Sequence, residues 1–502
     1  MRSSGILLHI TSLPSPHGIG TLGKSAMDFV DFLSEAGQSY WQILPIGPTN
    51  ESSSPYQSYS TFAGNPLLID LDELVSEGLL KASEVDEIDW GSDPTRVDFK
   101  KVRAGRSHLL RSAYQRGYAG QLKAVQKFRE DNADWLEDYA FFMALRKYFG
   151  TWWGCWPDEL RLSFARAGAD ELGAPYREKL AEDIEYVMFV QYLFFQQWVQ
   201  LHSYAQRRGV KLFGDIPIYV PLDSADVWSN PSQFQLDEKL MPQAIAGVPP
   251  DGFTADGQLW GNPLYKWDQM GMDGYSWWLH RMRRASELFD VVRIDHFRGL
   301  ASYWSVPAGD TTARRGHWEQ GPRAALIDAI KGECPSMSFV AEDLGYPADD
   351  VEELLAHSGF PGMEVLEFSF DTRDGGGNMP YQYPINSVCY IGTHDNETAR
   401  QWLGSAYPKD VSLAKRYLGL SAEEGYVEGL IRGAMASDSK LFVAQMQDWL
   451  GLGAEARMNT PGTVGGTNWC WRLFPGALTP DLSRKIATMT SLFGRSARVG
   501  GC

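Results

Sequence analysis

Short apolar runs, each followed by a polar or Gly/Pro-containing loop, recur along the chain. They are GILLHI (5–10), SYWQILPI (39–46), KLFGDIPI (211–218), FDVVRIDHF (289–297), MSFVAEDLG (337–345), MEVLEFSF (363–370) and SVCYIGTHDN (387–396). Their length and bounding residues suit buried strands. Helical segments lie between many of them. KSAMDFVDFLSEAG (24–37), VEELLAHSG (351–359) and the long apolar stretch 184–209 each close on a glycine. Alternation of strand and helix argues for parallel βαβ units. Seven or eight such units in one chain favour a (β/α)8 TIM barrel over an open sheet. The expectation is an α/β fold in which residues 1–502 form a single catalytic barrel.

The spacing is uneven. Residues 47–210 separate the second and third runs, too far for one crossover, and they hold helix-prone sequence such as DWLEDYAFFMALRKYFG (134–150). A largely helical insertion is expected within about 71–205, at the C-terminal face of the barrel. A second long connection contains PPDGFTADGQLWGNPLY (249–265). Rich in Gly and Pro, it reads as a long loop over about 245–265, of the kind in which barrel enzymes build their sites.

Four runs end in acid: Asp215 in FGDIP, Asp295 in RIDHF, Glu342 with Asp343 in VAEDLG, and Asp395 in GTHDN. One such acid is expected as a helix N-cap. Four, each after an apolar run, are hard to explain as caps, and in a barrel they converge on one rim. In VVRIDHFRGL (291–300), strand alternation puts Arg293 and Asp295 on one face. An adjacent Arg keeps a carboxylate ionised, which suits a nucleophile. A second carboxyl group in a less polar setting stays protonated and acts as a general acid. That pairing is the chemistry of glycoside cleavage, retaining when the two groups lie about 5–5.5 Å apart. A metal site is the rival use of clustered Asp. The bases Arg293, His296, Arg298 and His394 would repel a cation, though a neutral His can ligate one.

A formal net charge of −17 argues against nucleic acid or an anionic membrane as partner. The 18 Trp mostly suit an aromatic core, but indole faces also stack on sugar rings. Tyr56 in SPYQSYS and Trp260 in GQLWGNP lie in expected rim loops, and His9 follows the first strand; packing roles are open for all three. Five Cys without a CxxC pair suit neither a disulfide framework nor a zinc site and read as reduced, cytoplasmic thiols. GILLHI is too short for a signal peptide, and no run of 18 apolar residues suggests a membrane span.

Taken together, these motifs resemble glycoside hydrolase family 77, the 4-α-glucanotransferases or amylomaltases, relatives of the α-amylases. The resemblance runs from GILLHITSLPSPHGIGTLG (5–23) through SPYQSYSTFAGNPLLIDL (54–71), FGDIPIYV (213–220), GVPPDGFTADGQLWGNPLY (247–265), VVRIDHFRGL, VAEDLG and GTHDNET (392–398) to NTPGTVGGTNWCWRL (459–473). It implies Asp295 as nucleophile, Glu342 as general acid/base and Asp395 as the third carboxylate, which orients sugar hydroxyls. It implies that Arg293 positions Asp295. His296, His394, Asp215 and Tyr56 would line the donor sites, Trp260 would contact the glucan near the acceptor side, and Asn468 would reach the site from the last strand region. The implied substrates are α-1,4-glucans: maltooligosaccharides, amylose, and glucose as acceptor. No cofactor and no metal is implied. The sequence departs from the family pattern at TNESSSPY (49–56), at Glu364, at Cys470 and in the tail RSARVGGC (495–502). An α-amylase-like hydrolase would use the same carboxylates. A non-catalytic glucan-binding protein would have no need of all three.

Overall fold

Each of the seven apolar runs becomes a strand with a buried interior. The computed structural model describes residues 2–496 apart from 166–168, 251–253, 346–347 and 374–376. Twelve strands are formed among the described residues: β1 (Ser3–Leu7), β2 (Tyr40–Gln42), β3 (Lys211–Pro217), β4 (Ala244–Val248), β5 (Gln258–Pro263), β6 (Val291–Asp295), β7 (Ser302–Pro307), β8 (His317–Gln320), β9 (Ser338–Ala341), β10 (Gly362–Val365), β11 (Ser387–Tyr390) and β12 (Leu441–Gln445). Eight of them make one parallel sheet in the order β10-β11-β12-β1-β2-β3-β6-β9. Every strand therefore neighbours the barrel strand before it and the one after it, as in a (β/α)8 barrel.

The seam between β9 and β10 has no ladder. The Ala341 N–H donates to the Pro361 carbonyl at 2.9 Å, and the Met363 N–H donates to Asp343 Oδ1 at 2.8 Å. Gly362 is bare for this reason: an added Cβ would lie 2.6 Å from Asp343 Oδ2. Asp343, one of the strand-end acids, is spent on closing the ring.

The four helices expected from sequence form at Lys24–Glu35, Leu136–Phe149, Ala181–Arg207 and Asp349–Ser358. Each stops just before or at a glycine with left-handed φ, between 66° and 74° for Gly37, Gly150, Gly209 and Gly359. Among the described residues seven α-helices lie between β2 and β3, the longest Phe99–Asp131 and Ala181–Arg207. Their apolar residues, such as Phe142, Leu145 and Phe194, are continuous with barrel residues such as Ile6 and Trp41. Two buried glutamines of helix 181–207 hold the chain after β2. Gln191 bonds the N–H and C=O of Gly64, and Gln197 those of Asp70. Arg103 of helix 99–131 donates to the carbonyls of Thr49 and Asn50, at 3.1 and 2.5 Å. The helical segment thus fixes the loop that delivers Tyr56.

Two features differ from the sequence reading. The eighth strand, β12, is a fully buried LFVAQ run that the reading did not single out. It lies between helices without a Gly or Pro boundary of its own. The stretch 245–265 is not simply a loop: β4 and β5 pair antiparallel and join β7 and β8 in a second sheet, ordered β5-β4-β7-β8. Gly247 and Gly261 resemble turn residues in sequence, but here they accompany a register shift between Ile245 and Gly247 and a left-handed φ of 77° at Gly261. Residues 251–253 of that stretch, and the tail from 497 onward, lie outside the described residues. Among the described residues no helix is long and apolar enough to cross a membrane.

Candidate active site

Parallel register brings the acids to one end of the barrel. Asp215 of β3 stands opposite Arg293 of β6, and both side chains are buried. Arg293 forks between two carboxylates, with Nη1 at 2.7 Å from Asp215 Oδ2 and Nη2 at 2.8 Å from Asp295 Oδ1. Burial opposes the charge on Arg293, but Asp215 and Asp295 outweigh it and hold the guanidinium well above its usual pKa. A fixed cation therefore already occupies the place between these two acids where a metal would bind.

From Asp215 a chain of contacts crosses the barrel mouth. The Tyr56 hydroxyl donates to Asp215 Oδ2 at 2.7 Å and lies 2.8 Å from His394 Nε2. The Tyr56 hydrogen goes to Asp215, so His394 Nε2 must carry the hydrogen of the second bond. Burial lowers the His394 pKa, which suits a neutral ring with its proton on Nε2. Tyr56 stacks on His394 at 5.3 Å, and Trp469 tilts against both. Beyond His394, Asp395 Oδ2 lies 3.4 Å from Nε2, and its Oδ1 accepts from Asn459 Nδ2 at 2.6 Å. Arg457 donates to the Asp395 carbonyl and to the Asn459 carbonyl.

Glu342 is the first residue past β9. Its Oε2 accepts from the His296 N–H at 2.6 Å, and its Oε1 from the Leu344 N–H at 3.2 Å. His296 directly follows Asp295 and adopts a left-handed φ of 52°. That conformation is uncommon for a residue with a side chain and recurs where function needs it. Here the turn aims a backbone donor at Glu342. The backbones are also tied, Glu342 N–H to Ile294 and Phe297 N–H to Glu342. The His296 ring meets the Trp260 ring edge-on at 4.8 Å and stays neutral, its pKa pushed to about 3 by burial and by Arg298 and Arg293.

Burial raises both Asp295 and Glu342 above the usual carboxylate range, Glu342 further. Arg293 pulls each back down, most closely for Asp295, its direct ion-pair partner. Each negative charge also opposes the other. The two carboxyl groups therefore titrate as a pair rather than independently.

Two further expected site residues are engaged by the protein's own groups. Asp215, expected to line a sugar site, is buried and bonded to Arg293 and Tyr56. Asn468 spans its own loop, accepting from the Thr460 N–H and donating to Thr463. His9 is buried, with Nδ1 accepting from the Leu44 N–H at 3.3 Å and its pKa pushed to about 3 by burial and His394. Asn459, Arg457 and Trp469 were missed as site residues, because no strand-end charge marks them in sequence.

The glycoside hydrolase family 77 model, described as 4-alpha-glucanotransferase, matches residues 8–477. The chain is 45% identical over 501 residues to the 4-alpha-glucanotransferase of Streptococcus pneumoniae serotype 4, covering 98% of this chain and 97% of that one. It is 43% identical over 500 residues to the 4-alpha-glucanotransferase of Thermus thermophilus, with 97% and 98% covered. Among solved structures, the amylomaltase from Streptococcus agalactiae in complex with acarbose matches it with a TM-score of 0.95 and 39% identity, over 99% of this chain and 100% of that one.

Proposed function

The chain belongs to the 4-alpha-glucanotransferase family, glycoside hydrolase family 77, and from that premise we propose how its carboxylates divide the work. The protein is a 4-α-glucanotransferase acting on α-glucans. In the proposed cycle, Asp295 attacks the anomeric carbon of the donor sugar as Glu342 gives its proton to the departing glycosidic oxygen. The C1–O4 bond breaks and a β-linked glycosyl ester forms on Asp295. The 4-hydroxyl of an acceptor then attacks C1, the ester bond breaks, and the hydroxyl proton passes to Glu342. Two inversions leave the product α-linked. Asp395, braced by Asn459, accepts hydrogen bonds from hydroxyls of the reacting ring.

The observation that carries this assignment is the bond from the His296 N–H to Glu342. It couples the acid/base to the residue that follows the nucleophile. The ion pair with Arg293 favours charge on Asp295, and burial favours the proton on Glu342. A cytoplasmic location is part of the proposal, supported by four free cysteines among the described residues.

Maltotriose tests the reading. Incubation yields glucose and longer maltooligosaccharides with little net gain of reducing ends. Steady growth of reducing ends would mean that water is the acceptor. Asp295→Ala and Glu342→Ala each remove nearly all turnover while the proteins stay folded; substantial activity in either would remove that residue from its role.

A further inference from the structure

The antiparallel sheet is anchored at the catalytic rim. β7 begins two residues after the turn Phe297–Leu300, and β8 returns to the same place, where the Gly321 N–H bonds the Ala301 carbonyl at 2.9 Å. On these strands Trp304 and Trp318 are a cross-strand pair, their rings 5.2 Å apart and inclined at 68°. Of the described tryptophans only Trp318 is exposed, at 44%.

The ring is held in orientation rather than left loose. Trp304 is fixed by its Nε1–H, which donates to the Ala313 carbonyl at 2.8 Å, and by Gly316, where an added Cβ would strike that nitrogen at 2.2 Å. Its indole supports Trp318 edge-on. Arg298 lays its guanidinium carbon 4.6 Å from the centroid of the Trp318 ring. An aromatic ring ordered beforehand presents stacking area at little entropic cost.

We propose that Trp318, backed by Trp304 and Arg298, is a stacking subsite for the acceptor glucan, receiving sugars beyond the one whose 4-hydroxyl reacts. The inference rests on the transferase reading above. Three observations connect the platform with the site. Arg298 lies three residues past Asp295 and is electrostatically coupled to Glu342, the residue assigned to the oxygen joining donor to leaving or incoming glucan. Trp260, on β5 of the same sheet, meets His296 at the near end. The substrate is a chain of repeated sugars, so a ring set outward from the site engages a long acceptor and misses a single glucose.

The test supplies one fixed donor and acceptors labelled at the reducing end, from glucose to maltopentaose, and measures kcat/KM for each. In Trp318→Ala the ratio of maltopentaose to glucose as acceptor falls about fivefold from that of the unaltered enzyme. Trp318→Phe, which keeps a stacking ring, recovers most of the ratio. A Trp318→Ala ratio equal to the parent's, or an equal loss for both acceptors, overturns the proposal. Absence of transfer to any acceptor by the unaltered enzyme would instead overturn the transferase reading.

Discussion

In the proposed division of labour Glu342, raised by burial, carries the proton of the pair, and Asp295, which Arg293 touches, carries the charge. Both groups titrate above the ordinary carboxylate range, so the working window moves upward with them. The acid limb of kcat/KM reports loss of charge from the pair, and the alkaline limb reports loss of its one proton. We expect a bell whose limbs both lie above ordinary Asp and Glu values. Glu342→Gln should cut kcat about 10²–10⁴-fold and flatten the alkaline limb in what remains. An unchanged alkaline limb in Glu342→Gln would assign the proton to another group. At this scale the sequence was most legible where chemistry and position coincided. Asp295, Glu342 and Asp395 were visible as acids closing apolar runs. The link from Tyr56 to His394 was not, because the two are 338 residues apart and no local period records such a contact. Asp215 was visible as an acid, but its burial under Arg293 depends on cross-strand register, which only the folded barrel supplies.

Among the elements, the β9–β10 seam is the place where the ring depends on a side chain. Asp343→Ala leaves the Met363 N–H without its acceptor, and we expect a loss of about 1–3 kcal/mol in urea unfolding, with Asn less harmful because its carbonyl still accepts. A fully stable Ala variant would show that the single Ala341–Pro361 bond closes the ring. A second expectation concerns Glu367, in the helix Leu366–Ser369 after β10. It is buried, and its carboxyl is raised well above the usual value by burial and by Asp448 and Glu397. A folded-state pKa above the unfolded one means that the native state binds more protons. Stability therefore falls as pH rises from the ordinary Glu value toward the folded one. Glu367→Gln removes that dependence, so its Tm advantage over the parent should grow between pH 5 and pH 8, read by thermal melts. A constant or shrinking difference would contradict the sign. The barrel strands with Gly/Pro boundaries and the glycine-closed helices could be read from sequence. β12 and the β4-β5-β7-β8 sheet could not, since short strands without punctuation, or with glycines inside, carry no period long enough to register.

For the molecule as a whole, one ring of parallel strands explains why acids from distant segments meet. The helical segment between β2 and β3 explains how Tyr56 is carried to them. The family supplies the activity, and the geometry supports a covalent route through Asp295. That route is tested most directly by intact-protein and peptide mass spectrometry of Glu342→Gln supplied with maltotriosyl fluoride, a donor whose leaving group needs no proton. The account predicts a mass gain of one maltotriosyl unit, located on the peptide that contains Asp295. Fluoride release without any adduct, or an adduct on a different carboxylate, would contradict it.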